Sequence, residues 1–160
     1  MSLRRFLPLA MTFAALSAGT GACSSDKASS GSATGTASSS SESKPIGPEG
    51  GTMEVGGAVV TFPKGAVATS TMITISVDES AAVPAGFVAL SKLFKCEPSG
   101  TEFAVPVEMR MPFTDDGLGA TLFWSSGADP AFKDLGGRKD GTTMIATVQH
   151  FSSGFVGRKK

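Results

Sequence analysis

The sequence predicts an all-β fold, an antiparallel β-sandwich of about seven to nine short strands, with a barrel as the second architecture. Three observations carry this. Gly and Pro recur at short intervals from Pro45 onward, which leaves no room for an amphipathic helix of ordinary length. A Gly56-Gly57 pair sits between two apolar-rich runs, the signal of a tight hairpin whose turn needs positive φ. Several segments alternate apolar and polar residues with period two, as half-buried strands do.

Taken in order, Thr52 to Val55 and Ala58 to Phe62 form that hairpin, and Pro63-Lys64-Gly65-Ala66 turns the chain. Thr71 to Val77 places Ile73, Ile75 and Val77 on one face and Thr74 and Ser76 on the other. Pro84-Ala85-Gly86 breaks the pattern. Phe87 to Cys96 reads as one bent strand or two short ones, closed by Pro98-Ser99-Gly100. Val105 to Met111 alternates most clearly, and Pro106, lacking a ladder donor, places it at an edge or at a strand start. Thr121 to Trp124 is a short strand. Gly136-Gly137 and Asp140-Gly141 bracket a turn region, Thr142 to Val148 is the last long strand, and Phe155-Val156 adds a final short one.

The chain of 160 residues carries 14 Lys and Arg against 14 Asp and Glu. It therefore has no positive field for nucleic acid. A single His, a single Trp and no Tyr argue against metal sites and most acid–base catalysis, so no metal and no cofactor is expected. Asp115-Asp116-Gly117 reads as a solvated turn, and Trp124 as core. One segment has chemical potential, His150-Phe151-Ser152, where His150 could serve Ser152 as a base. The plainer reading is a His bonded to backbone beside a packed Phe151.

The first 22 residues have the layout of a signal peptide: Arg4 and Arg5, then an apolar run from Phe6 to Ala18 too short to span a bilayer, then small residues. Thr20-Gly21-Ala22-Cys23 resembles the lipobox of bacterial lipoproteins, with Thr20 where Leu is usual. The resemblance implies that Cys23 becomes the N-terminus and carries lipid, and Ser24 after it leans toward the outer membrane. The alternative is secretion, with cleavage after Ala22 and a free Cys23. Cys23 and Cys96 are the only cysteines; an acylated Cys23 leaves Cys96 a lone thiol, best buried, whereas an unacylated Cys23 leaves a disulfide conceivable. Ser24 to Lys44 is Ser-rich, without Leu, Val or an aromatic residue, and reads as a disordered tether reaching roughly 25 Å. The expected division is 1–22 leader, 23–44 anchor Cys and tether, 45–157 sandwich, and 158–160 basic tail.

Within the sandwich region, Gly50-Gly51, Val60-Thr61-Phe62-Pro63-Lys64-Gly65-Ala66, Ile73-Thr74-Ile75, Glu97-Pro98-Ser99-Gly100-Thr101-Glu102-Phe103, Pro106-Val107 and His150-Phe151-Ser152 together resemble the ZU-5 domain. That module is shared by ankyrins, netrin receptors and tight-junction scaffolds. The resemblance implies an antiparallel β-sandwich that works through protein contact. In some relatives a similar His-Phe-Ser is cut by self-proteolysis; carried over, Ser152 would be the nucleophile and His150 its base, cleaving Phe151–Ser152. The expected function is thus a non-enzymatic envelope lipoprotein, held to the membrane through Cys23 and presenting an interaction module to an envelope protein. Self-processing and a carbohydrate-binding sandwich are the alternatives.

Overall fold

The computed structural model describes residues 41–126 and 129–160; the leader, Cys23 and the tether as far as residue 40 lie outside them. The described residues form twelve strands and no helix: β1 (Ser41–Ile46), β2 (Gly51–Val55), β3 (Ala58–Phe62), β4 (Thr71–Asp78), β5 (Phe87–Ala89), β6 (Leu93–Glu97), β7 (Glu102–Pro112), β8 (Thr121–Ser126), β9 (Asp129–Gly136), β10 (Arg138–Asp140), β11 (Thr143–His150) and β12 (Ser153–Lys159). All pairings are antiparallel. The larger sheet runs β1-β4-β6-β12-β8-β9, with β5 also on β12, and the smaller runs β10-β11-β7-β3-β2. The β-sandwich expected from the sequence is the architecture found.

The core lies between the inner faces of the two sheets. Ile73, Ile75, Phe94, Cys96, Leu122, Trp124 and Val156 come from the large sheet, and Met53, Val60, Val107, Met109, Met144 and Val148 from the small one, all buried. Alternation explains most of it: in β4 the buried positions are Ile73, Ile75 and Val77, as the period of two requires. The Gly56-Gly57 turn joins β2 and β3 with φ of 58° and 81°, the left-handed values that a Cβ disfavours. Apolar packing on this scale is what lets a domain of such size stand without a disulfide.

Several strands differ from the sequence reading. Among the described residues the sheet already includes Ser41 to Lys44, before the expected boundary at Pro45, because they pair with β4 from Ser76 to Ile73. At the other terminus, Arg158 and Lys159 belong to β12 and pair with Val88 and Phe87, so the expected basic tail is mostly strand. β12 itself is longer than expected and lies in the middle of the large sheet. β7 is central, not an edge: Pro106 is accommodated where its ladder to β11 is irregular, Val148 facing Val107 and His150 facing Glu102. That irregularity also leaves Val105 38% exposed, although Val107, Met109 and Met111 point inward.

The flank where β1 and β2 lie is closed by side chains. A Glu42 carboxylate oxygen accepts the Glu54 amide at 3.1 Å, and the Lys44 ammonium donates to the Thr52 carbonyl at 3.1 Å. Both backbone groups belong to β2, the last strand of its sheet.

One close approach in the core sets a test. A Cβ on Gly154 would lie 2.1 Å from the Trp124 ring and 2.7 Å from the Phe123 carbonyl, so this strand position has room only for hydrogen. Overpacking a core typically costs about 1–3 kcal/mol. Gly154→Ala is expected to lose at least that much in urea denaturation, with altered Trp124 fluorescence in the folded state.

Candidate functional site

The family-like segments are far apart in sequence and meet at one end of the sandwich. Four connections pass between the sheets there, and two of them carry the motif residues. Residues 98–101 carry the chain from β6 to β7, and Phe151-Ser152 carry it from β11 to β12. The two crossings are joined through the backbone. The Gly100 amide donates to the Phe151 carbonyl at 2.7 Å, the Phe151 amide to the Thr101 carbonyl at 2.8 Å, and the Cys96 amide to the Ser152 carbonyl at 2.8 Å. The Trp124 indole donates to the His150 carbonyl at 3.1 Å.

Phe151 is fully buried. Its ring meets Phe103 edge-on at 4.8 Å and Phe62 edge-on at 5.8 Å, and Phe62 meets Phe103 at 6.0 Å. These edge-to-face arrangements add to the burial term. The turn after β3 belongs to the same end: the Gly65 amide donates to the Pro48 carbonyl, and the Ala104 amide to the Ala66 carbonyl.

His150 and Ser152 flank Phe151 but are not brought together; among the described residues no hydrogen bond joins them. The His150 Nδ1 lies 3.4 Å from the Phe151 carbonyl oxygen, at the long limit of a hydrogen bond. The buried Ser152 hydroxyl is 2.5 Å from the hydroxyl of Ser125 on β8. Ser125 Oγ also donates to the Ser153 carbonyl at 3.1 Å and accepts its amide at 3.2 Å. Ser125 had no signal in the sequence, because strand pairing alone brings it beside residues 27 and 28 positions later.

Cys96 is a free thiol with no exposure, on β6. Burial pushes its pKa from 9.0 up to about 12. The folded protein thus keeps a proton that the unfolded chain releases above about pH 9. This contribution to stability is present below that pH and is lost as pH rises toward 12.

The opposite end holds a cavity of about 600 Å³, lined in part by Asp78, Val83, Leu90, Lys92, Pro112 and Thr114. Beside it, Asp115 pairs with Lys139 on β10, and Asp116 with Arg158 on β12, so adjacent carboxylates are tied to opposite sheets. The Lys139 ammonium and the Gly117 amide hold the Asp115 carboxyl below its ordinary range. The Leu118 amide, with Arg158, does the same for Asp116. The turn expected at Asp115-Asp116 is thus present, with its carboxylates occupied by basic side chains and loop amides.

Two measurements check this site. Phe151→Ala should lower stability by about 3–5 kcal/mol in urea denaturation, as truncation of a buried Phe does, whereas His150→Ala should cost far less. The Cys96 thiol should resist an aromatic disulfide reagent at pH 8 in the native protein and react fully in denaturant.

No curated protein matches this chain. The family model of the ZU5 domain matches residues 42–118, from β1 through the loop after β7. Its span contains the Phe62 turn, the 98–101 crossing and Phe103, which are the pieces that receive Phe151. Over residues 42–118 this sandwich is thus similar in sequence to the ZU5 domain.

Proposed function

We propose that the chain is a membrane-anchored envelope lipoprotein, lipidated at Cys23, whose ZU5 sandwich works by contact with another envelope protein. The ZU5 match supports a β-sandwich interaction module. The anchoring part is supported by the order of features before it: a charged start, a short apolar run, the Gly21-Ala22-Cys23 sequence and a Ser-rich stretch. Acyl chains contribute about 0.8 kcal/mol per buried CH₂, so more than one long chain on Cys23 would hold the protein firmly. The observation that most favours contact over catalysis is the use made of the His150-Phe151-Ser152 segment. Its ring, its hydroxyl and its backbone are all engaged in joining the two sheets.

The decisive experiment is metabolic labelling with a fatty acid. Label should travel with the protein, and Cys23→Ala should abolish it and release the chain from membranes; membrane association unchanged in that variant overturns the anchor. Intact mass tests the non-enzymatic part. One unbroken species containing Phe151 and Ser152 is expected, and a fragment beginning at Ser152 overturns it.

A further inference from the structure

Strand register sorts this sandwich into two unlike ends. The crossings described above occupy one. At the other, Ser41 enters beside Ser76 of β4, and β12 finishes at Lys159 opposite Phe87. Two loops leave this same end: residues 79–86 after β4 and residues 113–120 after β7. Their tips carry large exposed apolar side chains, Val83 at 51% and Leu118 at 72%, the latter the most exposed large apolar residue among those described. Single exposed apolar side chains are ordinary on a protein surface; here two stand on loops of one end.

β12 and Lys160 after it tie these loops to the sheet. The Lys160 amide donates to the Gly86 carbonyl at 2.9 Å, at the base of the Val83 loop. Arg158 pairs with Asp116, two residues from Leu118. The Thr114 amide donates to the Leu90 carbonyl at 2.8 Å, tying the 113–120 loop to the connection after β5. Lys159 and Lys160 are exposed, and among the described residues neither has a salt-bridge partner. Two apolar tips therefore flank a basic segment.

We propose that this end seats on an anionic lipid surface, Val83 and Leu118 entering the headgroup layer while Lys159 and Lys160 face lipid phosphates. Apolar tips beside basic side chains suit an interface that is greasy below and negatively charged above. The proposal rests on the anchored reading for the nearness of the bilayer. A Ser-rich chain the length of residues 24–40 reaches roughly 23 Å. β7 alone, at about 3.4 Å per residue, extends roughly 37 Å. An anchor at Cys23 thus holds the Ser41 end near the membrane and leaves the Phe151 end outward.

The test uses the full lipidated protein in phosphatidylcholine vesicles containing phosphatidylglycerol and brominated lipid. A fluorescent label is placed on Leu118→Cys, Val83→Cys or Ser99→Cys, the last at the opposite end; buried Cys96 stays unlabelled. Quenching at 118 and 83 is expected to exceed that at 99 at least threefold and to fall by half or more in Lys159→Glu/Lys160→Glu. Equal quenching at all three positions in an anchored chain overturns the proposal and leaves the anchor standing. A Cys23→Ala chain that still binds phosphatidylglycerol vesicles, with Leu118 quenched, supports the proposal even where fatty-acid labelling fails. Protection of Leu118 by a protein instead of by lipid overturns it.

Discussion

The structure depends on how two of its sheet-to-sheet connections, 98–101 and 151–152, meet at one end. A crossing segment leaves the ladders and would strand its amides and carbonyls in a largely apolar junction. Here each crossing satisfies the other: Gly100 and Thr101 bond to Phe151, and Cys96 to Ser152. Phe151 then plugs the space that the sheets leave, against Phe62 and Phe103. Remove that ring and two strand connections lose their shared support. The motif-like segments are therefore parts of one joint, and their separation along the chain reflects topology.

Much of this fold was legible in the sequence. The hairpin at Gly56-Gly57, the inward residues of β4 and most of β7 follow from turn chemistry and period-two alternation. What was not legible are β1, β9 and β10, which flank their sheets or close them. Ser41 to Lys44 and Arg138 to Asp140 have few apolar side chains to alternate, and only the neighbouring strand makes them extended. β8 failed differently. Leu122, Phe123 and Trp124 are all buried because both faces are covered: Leu122 and Trp124 enter the core, while Phe123 packs outside it with Phe87 and Phe155.

The site was half legible. Residue type and spacing marked His150, Phe151 and Ser152, and nothing local could reveal Ser125 as the partner of Ser152. Nor could composition show that the acids of Asp115-Asp116 are shared between β10 and β12, since those strands lie far along the chain. Side chains that looked like chemistry are engaged in holding one sheet to the other.

The side-chain seal on the outermost strand of the small sheet has a consequence for crowding. An unsatisfied strand border is a template on which a second molecule can add its own strand, and proteins packed side by side meet such borders often. With the carboxylate of Glu42 on the Glu54 amide and the ammonium of Lys44 on the Thr52 carbonyl, that template is already occupied from within the same chain. Neighbouring copies thereby meet an obstacle to sheet-to-sheet growth along this border.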